Sequence, residues 1–188
     1  VRTVEEALRY RPQIFIVATP TAAHVEVSIP AAEAGCDLYI EKPLTHEAGP
    51  AKRLLSIVEE RKLVAMVGCQ FRFHPLLAAL RERVRSGRFG RIAGAVAEWG
   101  EYLPDWHPWE DHTRSYAARA DLGGGVLLTL IHPFDYLHWM FGPASRVTGS
   151  VIRVPALSTP AGEDWADVSI SFASGVLGHV HVDYLQRP

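Results

Sequence analysis

The sequence is poor in features that mark several large classes of protein. It has only two cysteines, Cys36 and Cys69, in 188 residues, which is too few for the disulfide framework of a secreted domain. No apolar run approaches the roughly 20 residues that a membrane-spanning helix needs. The first residues also lack the apolar core of a signal peptide. We therefore expect a protein of the reducing cytoplasm.

A strong excess of positive charge is also missing. The formal net charge is −2, and lysine and arginine form no stripe along the chain. Such a chain gives no basis for binding nucleic acid or an acidic membrane surface. Because 48% of the residues are hydrophobic, the chain can bury a substantial core. We expect a folded protein that acts on a small molecule.

Motifs for nucleophilic and metal-dependent catalysis are missing as well. The chain contains no Gly-x-Ser-x-Gly, and both cysteines lie in or beside apolar segments without a basic partner. His179 and His181 have the spacing of two ligands on a strand, and His107, Asp111 and His112 form a second cluster. Neither set has a third ligand at a familiar spacing. We predict no metal site, and a metal-dependent lyase is a remote alternative.

Strand and helix signals alternate over the first 68 residues. The predicted elements are helix 3–10, strand 14–18, helix 22–34, strand 37–40, helix 46–61 and strand 63–68. The first strand is a continuous apolar run, which is typical of a strand covered on both faces. Thr21 is placed to cap the helix that follows, and Gly35 to end it. The alternation predicts a doubly wound parallel sheet.

Polar residues follow the three predicted strands, at the edge where such sheets bind ligands. The sets are Thr19 with His24, Glu41 with Lys42, and Gln70 with Arg72. Lys42 stands between an acid and a proline, where its ammonium would point into the crevice. We interpret it as functional rather than as a solvated surface charge. His24, in the first turn of a helix, would lie near an anionic ligand, and a merely exposed side chain is the alternative.

The second half has a different pattern. After Pro75 a helix with one apolar face is predicted to end at Ser86, and strand 92–99 follows. Further strands are expected at about 145–154, 166–173 and 176–185, the last two joined as a hairpin. This order predicts an α+β domain with an open, mainly antiparallel sheet packed on helices. A sheet with few covering helices leaves one face open, so we expect dimerisation through that face.

A long connection over residues 101–116 is rich in tryptophan, tyrosine, histidine and aspartate. Long loops inside a compact domain are often functional, and aromatic rings beside acids are what sugar-like polyols bind. We therefore expect Tyr102, Asp105 and Trp106 to contact the substrate. The alternative is a loop whose aromatic rings simply pack against the domain.

The segment 123–139 is where we place the chemistry. Three glycines, which permit close approach of another backbone or a ligand, lead into a predicted helix 125–141. On a helical wheel its apolar residues share one side, and its polar residues share another. The polar ones are Thr129, His132, Asp135 and Tyr136. Pro133 follows the histidine directly, which predicts a kink at His132.

His132 and Lys42 together permit oxidation of a hydroxyl group. A histidine can take the proton near neutral pH, and a lysine can stabilise the developing alkoxide while a hydride leaves the same carbon. The alternative for His132 is a core residue with satisfied hydrogen bonds. Asp135, one turn later, either takes a direct part in catalysis or caps and orients its neighbours.

These motifs together resemble the Gfo/Idh/MocA oxidoreductases, the glucose-fructose oxidoreductase and inositol dehydrogenase family. The resemblance covers nearly the whole chain. In the first half its motifs are Ala-Thr-Pro-Thr at 18–21 followed by His24, then Gly35, and then Glu-Lys-Pro at 41–43. In the second half they are Arg-Phe-His-Pro at 72–75 and Gly-Gly-Gly at 123–125, which is followed by His132 and Asp135. The segment 102–106 with Ser115 and Tyr116 further resembles a branch that acts on sugar derivatives.

The resemblance implies two domains and a cofactor. Residues 1–72 would be part of an NAD(P)-binding Rossmann domain, and residues 73–188 an α+β domain for substrate binding and oligomerisation, as a homodimer or homotetramer. Lys42 and His132 would be the catalytic pair. NAD or NADP would be bordered by Thr19, Pro20, His24, Glu41, Lys42 and Gln70. The sugar-like substrate would meet Arg72, Tyr102, Asp105, Trp106 and Asp135.

The chain departs from the family pattern in two places. It contains no Gly-x-Gly-x-x-Gly, so we expect that it begins after the phosphate-binding loop and that it binds dinucleotide poorly on its own. Many members also carry an acid three or four residues before the histidine, where this sequence has Thr129 or Leu128. Both departures keep a second hypothesis open, a non-catalytic binding or dimerisation module derived from the same fold.

Overall fold

The computed structural model describes residues 2–160 and 162–187, which form two compact units. One unit comprises the chain up to Gly68 together with Asp121–Gly123. The other comprises Cys69–Ala120 and the chain from Gly124 onward. The domain boundary predicted at residue 72 stays a prediction, and Gln70 and Arg72 belong to the second compact unit.

The first unit is a parallel sheet with helices. Its elements are α1 (Val4–Leu8), β1 (Ile14–Val17), α2 (His24–Glu33), β2 (Asp37–Ile40), α3 (Ala48–Arg61) and β3 (Ala65–Val67). The strands pair in parallel in the order β1-β2-β3. Gly35, with φ of +86°, lies just beyond the end of α2 as predicted. The predicted Rossmann-type parallel sheet with crossover helices is thereby confirmed.

Two local predictions in the first unit are wrong. Strand β1 is covered on one face only: Val17 is buried with Leu38, whereas Ile14 and Ile16 are 62% and 70% exposed. Successive right-handed crossovers that advance in one direction place α2 and α3 on the same side of the sheet, which explains the difference. Thr21 does not cap α2. It is buried in a 3-10 turn, Thr21–Ala23, that precedes the helix.

The second unit packs helices on one face of a mixed sheet. Its elements are α4 (Pro75–Arg85), β4 (Gly94–Gly100), α5 (Val126–Thr129), α6 (His132–Phe141), β5 (Ala144–Ile152), β6 (Trp165–Phe172) and β7 (Leu177–Asp183). The strand order is β4-β7-β6-β5. The β6–β7 hairpin and the β5–β6 pair are antiparallel, and β4 joins β7 in parallel. The predicted mainly antiparallel sheet is confirmed.

The predicted single helix 125–141 is in fact two helices. Helix α5 ends at Thr129, Leu130 leaves helical geometry with φ of −96° and ψ of 42°, and α6 begins at His132. Pro133 lies in the first turn of α6, where its missing N–H costs least. The interruption predicted from Pro133 is therefore present, directly before His132.

The connection between β4 and α5 is less irregular than predicted. Its described backbone forms successive 3-10 turns at Leu103–Asp105, His112–Arg114, Tyr116–Ala118 and Ala120–Leu122. In the part of the chain that the structure describes, no helix is long and apolar enough to cross a membrane.

Candidate active site

The segments that follow the parallel strands leave from one edge of the first unit's sheet. The ladder continues one step past the strands, since the Glu41 amide donates to the Val17 carbonyl at 2.9 Å and the Gly68 amide to the Ile40 carbonyl at 2.8 Å. Thr19 and Pro20 are exposed just after β1, and Glu41 and Lys42 are half-buried just after β2. The structure therefore brings these four predicted residues to the same edge, where such sheets bind ligands.

His24 lies inside this edge rather than on its surface. The side chain is 1% exposed, and its two ring nitrogens lie 2.8 Å from the carbonyl oxygens of Thr19 and Pro43. The imidazole thus joins the segment after β1 to the segment after β2. The alternative of a merely exposed histidine is wrong. Cofactor contact stays a prediction, and the placement favours a role in holding Thr19 and Lys42 in position.

Gly68 leaves room for the acid beside Lys42. A Cβ atom at Gly68 would lie 3.1 Å from Glu41 Oε2 and 3.0 Å from the Tyr39 hydroxyl. The Glu41 side chain therefore reaches over the end of β3, and any larger residue at position 68 would push it away. Lys42 precedes the buried Pro43 through a cis peptide bond.

In the second unit, His132 is buried between two aromatic rings. Its imidazole is 6% exposed, and its centroid lies 4.6 Å from the Phe71 ring and 5.7 Å from the Trp99 ring. Phe71 and Trp99 also contact each other edge to face at 5.0 Å. The Trp99 indole N–H donates to Glu101 Oε1 at 2.7 Å, which fixes that ring in turn. The arrangement holds the imidazole in one orientation.

The prediction that the polar residues of segment 123–139 share one side of a helix is wrong in part. Thr129 is buried beside Tyr184, and burial raises the pKa of that phenol far above its usual value. The helical wheel assumed one continuous helix, whereas the break at Leu130 changes the direction in which the following side chains point. Thr129, one of the two positions at which the family resemblance led us to expect an acid, is therefore a core position, whereas Leu128, the other, is half-buried.

Two predicted substrate-binding residues bind each other. The guanidinium of Arg72, in the 3-10 turn Gln70–Phe73, contacts both carboxylate oxygens of Asp135 on the first turn of α6. Gln70 is exposed in the same turn. The pairing could not be read from either residue alone, because 63 positions separate them in the chain.

The aromatic loop divides between packing and lining a pocket. Trp106 packs edge to face on buried Tyr184 with centroids 5.7 Å apart, as the alternative interpretation expected. Tyr102, Asp105 and Trp106 also line an open pocket of about 380 Å³, whose other lining residues are Gly100, Glu101, Gln186 and Arg187. Sequence reasoning did not include Gln186 or Arg187, since no motif marks them.

The histidines of β7 pair with carboxylates. His179 Nε2 and His181 Nδ1 lie 3.2 and 3.1 Å from Asp167 Oδ1, and His181 Nε2 lies 2.8 Å from Asp183 Oδ2. Burial disfavours the charged form of His181, but the bonds to the two aspartates outweigh it and raise its pKa above 6.5. Within residues 2–160 and 162–187, no three histidine, cysteine or acidic side chains are grouped as metal ligands.

Comparison with known proteins assigns both halves of the chain. Residues 1–69 match the oxidoreductase family with an NAD-binding Rossmann fold, and residues 77–188 match the GFO/IDH/MocA C-terminal domain. Levoglucosan dehydrogenase of Pseudarthrobacter phenanthrenivorans is 29% identical over 177 residues, which cover 92% of this chain and 45% of that protein. The scyllo-inositol 2-dehydrogenase (NAD(+)) of Bacillus subtilis is 28% identical over 171 residues, covering 88% and 46%.

A solved structure agrees with these relatives. GenD2 from gentamicin A biosynthesis, crystallised in complex with NAD, is 29% identical with a TM-score of 0.87, covering 100% of this chain and 53% of that one. The chain spans about half the length of the curated relatives that it matches. Both domain matches and the fold lead to the same conclusion: the chain belongs to the Gfo/Idh/MocA family of oxidoreductases.

Proposed function

We propose that the protein is an NAD(P)-dependent oxidoreductase that transfers a hydride between the cofactor and a hydroxyl or keto carbon of a sugar-like substrate. The observation that carries the proposal is His132, a buried and oriented imidazole in a chain of this family. Relatives named as dehydrogenases of levoglucosan and of scyllo-inositol support a polyol substrate.

His132 is proposed to take the proton of the reacting hydroxyl. Histidine is the usual general base near neutral pH, and a base acts efficiently only where its geometry is fixed. The rings of Phe71 and Trp99 supply that geometry from two sides. They also keep water from most of the imidazole, whose exposed fraction is small.

Lys42 is proposed to polarise the oxygen of the same group. An ammonium placed where negative charge develops lowers the cost of forming an alkoxide. Its place after β2, held by the buried Pro43 and through Pro43 by His24, supports the role. Glu41 beside it, folded over Gly68, is proposed to border the cofactor.

The residues at the sheet edge fit the nicotinamide end of a dinucleotide. Thr19 and Pro20 are exposed after β1, so that backbone and side-chain groups are open to a flat ring, and we propose that they hold it together with Gln70. A bound NAD or NADP would accept the hydride from the substrate carbon. The phosphate-binding glycine motif is not among these 188 residues, so we assign no pyrophosphate contact to them.

The open pocket beside the aromatic loop is proposed to take part of the substrate. Tyr102 offers an aromatic face and Asp105 a carboxylate, which is the combination that binds polyols. Arg187 stacks over Tyr102 at 4.2 Å and donates to its hydroxyl at 2.8 Å, so this side of the pocket is held in shape.

Hydride transfer by the full-length protein tests the proposal. A panel of sugars, inositols and nucleotide sugars is incubated with NAD or NADP, and NAD(P)H formation is followed by fluorescence. Lys42→Ala and His132→Ala should abolish turnover, whereas Lys52→Ala on α3 and His138→Ala on α6, both exposed, should not. Equal turnover in all four variants would contradict the catalytic roles proposed for Lys42 and His132.

A second candidate function, a non-catalytic binding module, is favoured by the buried Thr129, which with Leu128 marks the place where the family resemblance led us to expect an acid. Such a module would keep the fold and lose the cofactor. Calorimetry with NADH and NADPH on the full-length protein separates the two: binding supports the oxidoreductase, and its absence together with retained polyol binding supports the module.

Assembly and location are part of the same proposal. The face of the second sheet that points away from its helices exposes Val96, Ile152 and Leu177 and forms a groove of about 600 Å³. We propose that a second copy covers it, giving a homodimer or homotetramer. Leu177→Glu should then lower the mass found by light scattering, unlike Leu55→Glu on α3. With only two cysteines among its 188 residues, the chain lacks the disulfide framework of secreted domains, which supports a cytoplasmic location.

A further inference from the structure

A bidentate ion pair joins two segments of the second unit. Arg72 Nε donates to both carboxylate oxygens of Asp135, at 3.1 and 3.0 Å, and its Nη2 donates to Oδ1 at 2.5 Å. The Asp135 side chain is 11% exposed and that of Arg72 is 39% exposed. Fork-shaped pairs of this kind fix direction as well as distance, because two parallel bonds resist rotation.

The same 3-10 turn also contacts His132. Phe71 contacts His132, and Arg72, the next residue in the chain, binds Asp135. His132 and Asp135 are three residues apart and therefore lie on one face of α6. Phe71 meets the imidazole at an interplanar angle of 60°. If α6 slid or rotated against this turn, the ring would lose that contact, and the Arg72 fork opposes such movement.

The geometry points to Arg72 and Asp135 as positioning residues that set the orientation of the His132 ring, rather than as groups that bind substrate. This inference rests on the proposed role of His132. A substrate hydroxyl that replaced Arg72 on Asp135 would have to separate a partly buried ion pair. It would return a single hydrogen bond in place of the two-pronged contact with the guanidinium.

The chain offers a matched control at the other end of α6. Arg81, on α4, donates from Nε to the Trp139 carbonyl at 3.2 Å, and its guanidinium lies 4.3 Å from the Trp139 ring centroid. Arg81 therefore anchors α6 through Trp139, as Arg72 does through Asp135, but at the end of the helix remote from His132. Arg72→Lys and Arg81→Lys each keep the charge and lose the planar fork.

Steady-state kinetics tests the inference in the full-length protein. Arg72→Lys and Asp135→Asn should lower kcat by about tenfold or more, because small misplacement of a catalytic group can cost up to about a hundredfold. The KM values for cofactor and polyol should change less than about twofold, since no binding contact is lost. Arg81→Lys should leave kcat unchanged. A rise in KM with kcat retained in the Arg72 and Asp135 variants would overturn the inference and show direct substrate binding.

A measurement without turnover separates this inference from the proposed function. In the wild-type protein, NMR should show NOEs between the His132 ring protons and the Phe71 ring, and Arg72→Lys should weaken them while the rest of the spectrum keeps its dispersion. Asp135→Asn, nearly equal in volume, should act in the same way. Unchanged NOEs would overturn the inference. Their loss in a protein that transfers no hydride would defeat the proposed function and leave the positioning of the ring supported.

Discussion

Substitution of Gly124 by alanine should destabilise the second unit by steric overlap alone. An added Cβ would lie 2.1 Å from the Tyr116 carbonyl oxygen, 2.7 Å from that of Ala117 and 2.8 Å from that of Arg119. All three atoms are backbone, so none can move away by a change of rotamer. The Gly124 and Gly125 amides donate to the Arg119 and Ala117 carbonyls at 2.9 Å, and the same displacement would stretch both bonds.

The expected cost is about 2–3 kcal/mol or more, at the upper end of the range for overpacking in a well-packed interior. With a urea m-value of about 2 kcal/mol/M, this corresponds to a midpoint about 1–1.5 M lower. Gly49→Ala is the matched control, because Gly49 lies in α3 with nothing within 4 Å of the added atom. That change should stabilise by up to about 1 kcal/mol.

Urea unfolding followed by circular dichroism and by tryptophan fluorescence measures both variants. A Gly124→Ala midpoint within about 0.3 M of wild type, with an unchanged m-value, would refute the steric reasoning. The result would mean that the turn Tyr116–Ala118 can yield at little cost.

Three further results are expected. Because ion pairing raises the pKa of His181, its contribution to stability is complete below the unfolded-state pKa near 6.5 and is lost as pH rises through the higher folded-state value. The urea midpoint of the wild-type protein should therefore fall as pH rises through that window. The fall should be smaller in His181→Gln, which removes the titrating group, than in His179→Gln, which keeps it. Asp164→Ala should cost about 1–3 kcal/mol for each buried donor left unpaired, as measured by thermal unfolding. His24→Ala, which removes both carbonyl contacts, should lower the unfolding midpoint of the first unit.

Much of the fold follows from local patterns in the sequence. Alternating strand and helix signals predict the parallel strands β1 to β3, and the turn at Gly175, with φ of +85°, agrees with the predicted hairpin. Pro133 predicts the interruption before α6, because proline removes one backbone donor at a known place. These features depend on neighbours in the chain, which is why sequence reasoning can find them.

The remaining features depend on partners that are distant in sequence. Arg72 and Asp135 are charged side chains that each need a partner when partly buried, but nothing in the sequence indicates that they form an ion pair with each other. Thr129 lies beside Tyr184 and does not share one face with His132 and Asp135, because the helix breaks between them, and a wheel drawn through residue 141 cannot contain that break. The parallel pairing of β4 with β7 likewise joins strands separated by most of the second unit.

The central claim is that His132 takes a proton during NAD(P)-linked oxidation of a polyol. Single-turnover hydride transfer in the full-length protein, with wild type compared to His132→Ala, tests it most directly. Loss of a general base should slow the chemical step by about 10²–10⁴-fold, while cofactor affinity measured by calorimetry stays within about twofold. Hydride transfer at the wild-type rate in His132→Ala would contradict the claim.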